Sequence, residues 1–219
     1  MVSKFLKVKK MKIINPSVKV IFPLELTYNE NGIYTRIEKL GRICYKSEDL
    51  ITKNSSINFI ENILKSGHES VIEHINVTVI FICDRGVSHE IVRHRIASYS
   101  QESTRYCNYS KNKFGKELTF IKPCFWEEDS EEYKIWYDNM KNIENSYFKL
   151  LESGAKPEQA RSVLPNSLKT EIAMTTNLRE WRHFLKLRTS EKSHPQMREV
   201  ANMVKDEFKK YIPLIVNDI

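Results

Sequence analysis

Glycine is scarce in this sequence and never clustered. Its six copies in 219 residues, Gly32, Gly41, Gly67, Gly86, Gly115 and Gly154, are nowhere closer than nine positions apart. Neither G-x-G-x-x-G nor G-x-x-x-x-G-K-[ST] can be written, which excludes the dinucleotide fingerprint and the Walker loop. A phosphorylated ligand would have to be met by side-chain cations instead of a glycine-rich backbone cradle. Cysteine is equally thin. Cys44, Cys83, Cys107 and Cys124 form no C-x-x-C pair and lie near no histidine couple at zinc-ligand spacing, the pattern of reduced, mostly buried thiols in a cytosolic protein. No apolar run approaches the roughly 18–20 residues of a membrane helix, and the longest, Val77 to Cys83, is broken by Thr78. The N-terminus lacks the apolar stretch and small-residue cleavage site of a secretory signal. A soluble, cytoplasmic protein is expected.

What is present fits one globular domain over residues 1–219, since chains of roughly 100–250 residues usually close a single core. The composition, 41% hydrophobic and 29% charged, is that of an ordinary folded chain. The charge is unevenly placed. Of the net +7, six charges come from Lys4, Lys7, Lys9, Lys10, Lys12 and Lys19, with no acid among residues 1–19. Residues 1–12 are therefore expected to be a basic extension and the body to be near neutral. An electrostatic nucleic-acid binder, the rival class, would carry a broad basic face and bind with strong salt dependence. This distribution argues against it.

Periodicity predicts a strand over Val18 to Phe22, a helix from Tyr34 to Tyr45, and another from an N-cap at Ser55 or Ser56 to a stop at Gly67. Ile75 to Cys83 alternates as a strand, with Ile75, Val77, Val79 and Phe81 on one face. A short helix through Ile91 and Val92 follows, then a stretch rich in Ser, Gln and Thr. Tyr133, Trp136, Tyr137, Met140, Ile143, Tyr147, Phe148 and Leu151 make an apolar stripe on a long helix that Gly154 ends. Pro157 opens a short helix closed by Pro165, Leu168 to Thr176 reads as a strand, and Leu178 to Arg188 and Pro195 to Tyr211 as helices. Strands and helices mix without a regular βαβ rhythm, so the class is α+β, a mixed sheet packed with several helices.

Arginine carries the best clue to chemistry. Nine of the eleven arginines, all but Arg36 and Arg42, lie between Arg85 and Arg198. Arg suits rigid, bidentate recognition of phosphate and carboxylate, whereas Lys is the usual solvated charge. Arg93-His94-Arg95 puts two cations around an imidazole at a helix end, where meeting the helix dipole is the structural alternative. Ser98, Ser100, Gln101, Ser103, Thr104 and Arg105 follow as a loop of donors suited to an anionic small molecule. Arg179, Arg182 and His183 fall on one face of the helix that ends at Arg188, either a solvated basic face or part of that anion site. Gly67-His68-Glu69-Ser70-Val71-Ile72-Glu73-His74 is no zinc motif, because His68 and His74 would differ by about 240° around a helix. No metal is expected.

These motifs, taken together, resemble one family. Arg93-His94-Arg95 with Ser103 after seven residues matches the R-H-R-x7-S pattern of the flavin-dependent thymidylate synthases, and Thr104-Arg105-Tyr106 continues it. Gly67 to His74, Ala160-Arg161-Ser162-Val163-Leu164-Pro165, Asn177 to Arg179 with His183, and Leu187-Arg188 with His194, Gln196 and Glu199 follow in the family's order. The resemblance implies an α+β subunit, a homotetramer with active sites shared between subunits, and FAD. It implies methylation of dUMP at C5 with 5,10-methylenetetrahydrofolate as carbon donor and NADPH as reductant, without a cysteine nucleophile. Position by position, Ser70, Arg93, His94, Arg95, Gln101, Asn177, Arg179 and His183 resemble FAD contacts, and His68 stands beside the flavin and folate entry. Ser103, Arg105 and Arg161 resemble the groups that hold the dUMP phosphate and sugar, with Glu90, Arg93, Gln101, Glu102 and Thr104 on the substrate side. Arg188 resembles the catalytic arginine that stabilises uracil ionised at N3, a task its fixed charge suits. Two positions differ from common family forms: Glu90 replaces Gln, and Ser100-Gln101-Glu102 replaces Asn-Glu-apolar.

Overall fold

A computed structural model describes residues 11–23 and 32–219. The lysines at 4, 7, 9 and 10 lie outside the described residues. In chain order the elements are β1 (Lys12–Ile14), β2 (Ser17–Ile21), α1 (Gly32–Arg42), α2 (Ser55–Lys65), β3 (Asn76–Asp84), α3 (Arg85–Ile91), β4 (Ser98–Gln101), β5 (Thr119–Ile121), α4 (Glu131–Glu152), α5 (Pro157–Ala160), β6 (Lys169–Asn177), α6 (Leu178–Arg188), α7 (Pro195–Tyr211) and α8 (Pro213–Val216). The chain is thus α+β, as expected. Strands β1 and β5 form a two-stranded sheet, and the other sheet has the order β2-β3-β6-β4. By compactness the chain divides into two units.

The first unit comprises Met1–Pro16, Ile82–His89 and Gln101–Ile172. Lys12, placed in the basic extension by its charge, instead pairs with Thr119 as β1 runs parallel to β5. Its neighbour Met11 is buried with Leu118, Phe120, Leu168 and the α4 residues Tyr133, Trp136, Met140 and Tyr147. Helix α4 starts where Ser130, as N-cap, accepts a bond from the Tyr133 N–H at 3.2 Å. The apolar stripe expected on α4 is therefore core, with one polar addition. Glu144 is 3% exposed, and its carboxylate accepts the Leu118 N–H at 2.8 Å. Burial pushes the Glu144 carboxyl above its ordinary range, and the Leu118 bond opposes that.

The second unit comprises Ser17–Phe81, Glu90–Ser100 and Ala173–Ile219. Ile75, Val77, Val79 and Phe81 are all buried, as the alternation predicts. Helix α6 covers this face: Trp181 and Phe184 pack on Phe81 with ring centroids 6.4 and 6.1 Å apart, and the Trp181 indole donates to the Val77 carbonyl at 3.0 Å. Phe208 of α7 closes on Trp181 from the other side. Burying each such ring stabilises the fold by about 1.5–3 kcal/mol. Helices α1 and α2 cross closely at Gly41, where a Cβ would lie 2.5 Å from the Phe59 ring. Gly67, at φ +72°, ends α2 as expected, but the N-cap is Asn54, and the Ser55 hydroxyl instead donates to Glu38 at 2.8 Å.

Two features depart from the sequence reading. Strands β1 and β5 have only three residues each, too few for alternation to show. The donor-rich stretch after Arg95 begins as strand β4, not loop; it is a sheet edge whose residues alternate between exposed and half-buried, so polar side chains suit it.

Candidate active site

In the second unit the site is built around the start and end of α6. Asn177 is the N-cap, its side-chain oxygen accepting the Glu180 N–H at 3.0 Å, and the Leu178 N–H is tied to the Ile75 carbonyl. This local anchoring sets the rotation of α6. It points Glu180 and His183 toward His94, and the last turn brings Arg188 to the same imidazole. His94 is 4% exposed, the buried member of Arg93-His94-Arg95. Its Nδ1 lies 3.0 Å from Glu180 Oε1, and its Nε2 accepts the Arg188 Nε–H at 3.1 Å. The ring rests on Phe184 at 4.8 Å and meets His183 edge-on at 5.6 Å. Below it the Tyr99 hydroxyl sits between the carbonyls of Ile91 and His94.

Arg188 is held from a second side. Its Nη1 donates to the Glu90 carboxylate at 2.8 Å and its Nη2 to the Glu90 carbonyl at 3.1 Å. The position in the last turn of α6 also suits a cation. Each terminal nitrogen carries two N–H groups, so each keeps one beyond these bonds. Burial foremost, with the Arg188 charge also contributing, holds the His94 pKa below the ordinary histidine value despite Glu180. Because Nε2 accepts from Arg188, the ring carries a single proton and is a neutral imidazole.

Arg93 and Arg95 are exposed and have no ion pair among the described residues. Ser70, His68 and His183 are also exposed; Ser70 lies in the 3-10 turn Glu69–His74 and His68 just before it. Arg179 points outward to Glu73 at 2.5 Å, an exposed pair of small energetic weight. Arg182, which the helical wheel sets beside Arg179 and His183, turns inward. It is 2% exposed and donates to Glu69, to both oxygens of Asp218 and to the Ile215 carbonyl.

In the first unit Gln101, Glu102, Ser103, Thr104 and Arg105 form a continuous, internally bonded segment. The Gln101 amide donates to Ser88 and Thr170 at 2.9 and 3.2 Å. Glu102 accepts from the Tyr109 hydroxyl and from Lys169, both at 2.9 Å. Burial first, and then the Glu102 charge, drive the Tyr109 phenol far above its usual range. Ser103 turns the chain, its carbonyl accepting the N–H groups of Tyr106 and Cys107, and Thr104 is buried. Arg105 lies over the Tyr106 ring and 3.4 Å from Glu158; its side chain is 57% exposed. Arg161 is exposed just after α5.

The residues gathered most tightly are thus Glu90, His94, His183 and Arg188, plus Glu180, which sequence reasoning missed. Its only signal was position: three residues after an N-cap, a carboxylate ordinarily serves the helix start. The ligand atoms of His94, Glu180 and His183 lie within 4.8 Å of one another, close enough for a cation. Both His94 nitrogens are already engaged, however, and the Arg188 guanidinium beside them repels one.

Three comparisons bear on what this arrangement is. The family model described as "Thymidylate synthase complementing protein" matches residues 25–214. A protein of Pyrococcus furiosus named "Flavin-dependent thymidylate synthase" is 38% identical over 171 residues, 78% of this chain and 69% of that one. One of the same name from Pyrococcus horikoshii is 42% identical over 73% of this chain, but the match spans 65% of its own length, under two thirds. One from Geobacter sulfurreducens is 34% identical over 81% of this chain and 78% of its own length. Among solved structures, a UMP/dUMP methylase PolB from Streptomyces cacaoi bound with 5-Br dUMP shares the fold at TM-score 0.74 and 23% identity, covering 94% of this chain and 96% of that one.

Proposed function

Because the chain belongs to the thymidylate synthase complementing protein family, we propose that it is a flavin-dependent thymidylate synthase converting dUMP to dTMP. The observation that carries this reading is Arg188. It is a permanently charged guanidinium, fixed by His94 on one edge and Glu90 on another, with one N–H left on each terminal nitrogen. Such a group can neither take nor give a proton at neutral pH. Its use is to hold negative charge where a pyrimidine ionises, which raises electron density at C5.

The donor set fits an anionic dinucleotide. With no glycine-rich cradle in the sequence, the diphosphate of FAD falls to Arg93, Arg95 and Arg179, with Ser70, His68, His183 and the Asn177 amide completing the contacts. When bound, FAD reduced by NADPH would supply the hydride, and 5,10-methylenetetrahydrofolate the carbon. Ser103, Arg105 and Arg161 hold the dUMP phosphate and sugar, with Gln101, Glu102 and Thr104 shaping the same segment. Among the thiols, Cys83 is pushed up to about 12 by burial and by Asp84, which suits a reaction without a cysteine nucleophile. The four cysteines form no disulfide among the described residues, and Cys44 and Cys124 are exposed where the sequence reading expects mostly buried thiols; a reducing compartment such as the cytoplasm keeps thiols in that state. We assign a homotetramer with shared active sites on the family likeness. No helix among the described residues is long and apolar enough to cross a membrane.

The test is spectroscopic and chemical. Purified protein should show flavin absorbance, bleach with NADPH without air, and form dTMP from dUMP and the folate in proportion to NADPH used. A colourless protein that takes up no FAD would overturn the reading.

A further inference from the structure

We propose that Glu180 is a positioning residue: it accepts the Nδ1–H of His94 and so fixes the imidazole tautomer whose Nε2 lone pair anchors Arg188. The inference deepens the dUMP-methylating reading and rests on it for the role of Arg188, but its geometry is independent of any ligand.

The logic is one of donors and acceptors. Arg188 Nε bears a hydrogen at every accessible pH and has no lone pair to offer. At 3.1 Å from His94 Nε2 it must donate, so Nε2 is bare. A neutral imidazole then carries its proton on Nδ1, and the atom facing Nδ1 at 3.0 Å is Glu180 Oε1. The other groups around the ring do not select a tautomer. Phe184 offers a face and His183 an edge, and the Tyr99 hydroxyl meets the His94 carbonyl, not its ring. Glu90 acts on Arg188, not on His94. Desolvation, reinforced by the Arg188 charge, opposes a second proton on the ring, so the Glu180 carboxylate orients a neutral imidazole without charging it. Without that acceptor the proton is free to move to Nε2. There it would meet the Arg188 N–H head on, two donors in contact, and Arg188 would leave its place.

A merely structural Glu180, an acid in the first turn of α6 favoured by the helix dipole, would not care which nitrogen of His94 is protonated. The experiment therefore reads tautomers. In the full chain labelled with 15N at its six histidines, long-range proton–nitrogen spectra identify His94 by its loss in His94→Asn. The wild type is expected to show Nδ1 protonated and Nε2 bare. Glu180→Gln, whose amide oxygen still accepts, should keep that tautomer and most of the dTMP-forming rate. Glu180→Met, of similar size but with no strong acceptor, should shift the proton toward Nε2 and lower kcat about 10- to 100-fold, the size of loss that follows removal of the carboxylate partner of a metal-bound histidine. Circular dichroism checks that each variant is folded; if Glu180→Met is not, Glu180→Ala takes its place. An unchanged tautomer in the variant lacking an acceptor, or Glu180→Gln as slow as Glu180→Met, overturns the proposal. So does one equivalent of zinc moving the His94 and His183 signals together, which would make the cluster a metal site. If the tautomers behave as stated and no variant, nor the wild type, makes dTMP, the positioning stands and the dUMP reading falls.

Discussion

Helix α6 carries two arginines that look alike in the sequence and do opposite work. Arg182 is 2% exposed, and its bonds to Glu69, Asp218 and the Ile215 carbonyl all go to its own chain. Burial works against its charge, but two carboxylates outweigh that and leave it more firmly protonated than usual. It pins the C-terminal residues and the turn at Glu69 to α6. Arg188 sits at the end of the same helix with a side chain 15% exposed, one carboxylate, one carbonyl and one neutral imidazole. It is placed but not saturated. An arginine whose acceptors are complete serves the fold; one fixed on two edges with donors to spare serves a ligand.

That contrast can be broken at either end. The largest effect is expected from Arg188→Ala: dTMP formation should fall at least about 100- to 1000-fold, as when a charge-stabilising donor is removed, while flavin absorbance and thermal midpoint stay near wild type. Single-turnover assays beside a melting curve check both halves; a large loss of stability would erase the distinction. Arg182→Met should show the mirror image. Losing it strands Glu69 and the half-exposed Asp218, costing about 3 kcal/mol in urea unfolding, toward the low end for broken buried pairs because Asp218 still sees water.

Two smaller effects sharpen the picture. Stability should decline with acid. The folded pKa of His94 is lowered, so the unfolded chain takes up the proton first, and stability present above the ordinary histidine value of 6.5 is lost as pH falls below it. Asp218, lowered by Arg182, adds stability above 3.8 that disappears as pH drops through its folded value. Urea midpoints measured from pH 8 to about pH 2 should fall on this schedule, and His94→Gln should flatten the portion near pH 6.5. Glu90→Gln is the mildest. It keeps a bond to Arg188 but removes the opposing charge, so the field at the nucleobase strengthens and the KM for dUMP should fall about two- to fivefold, a partly exposed ion pair being worth about 1 kcal/mol. An increase in KM would instead make the carboxylate a substrate contact.

Much of this was legible in the chain. Helix α6 runs from Leu178 to Arg188 and α7 from Pro195 to Tyr211, the spans that periodicity predicts, because Asn177 caps one start and Pro195 sits at N1 of the other. Val77, Val79 and Phe81 alternate strictly, so β3 was readable with its buried face. Short or edge elements were not. Strands β1 and β5 exist because Lys12 and Thr119 find each other across more than a hundred residues, and β4 because an edge tolerates serines. In the site, the motif residues could be named, but the wheel that groups Arg179, Arg182 and His183 does not say which of the three faces the core.

Sequence alone determined which groups were available: fixed cations in place of a glycine cradle, an imidazole between two arginines, no paired cysteines, and an α+β pattern. These follow from residue type and spacing, which act locally. Tertiary structure decided their employment. Whether an arginine is saturated, which nitrogen of His94 carries the proton, and that Glu180 is the group that sets it depend on atoms far apart in the chain. Glu180 and His94 stand 86 positions apart, and Arg188 and His94 stand 94. A hydrogen bond is decided within about 3 Å, and only the packing of α6 against its sheet brings those atoms within that range.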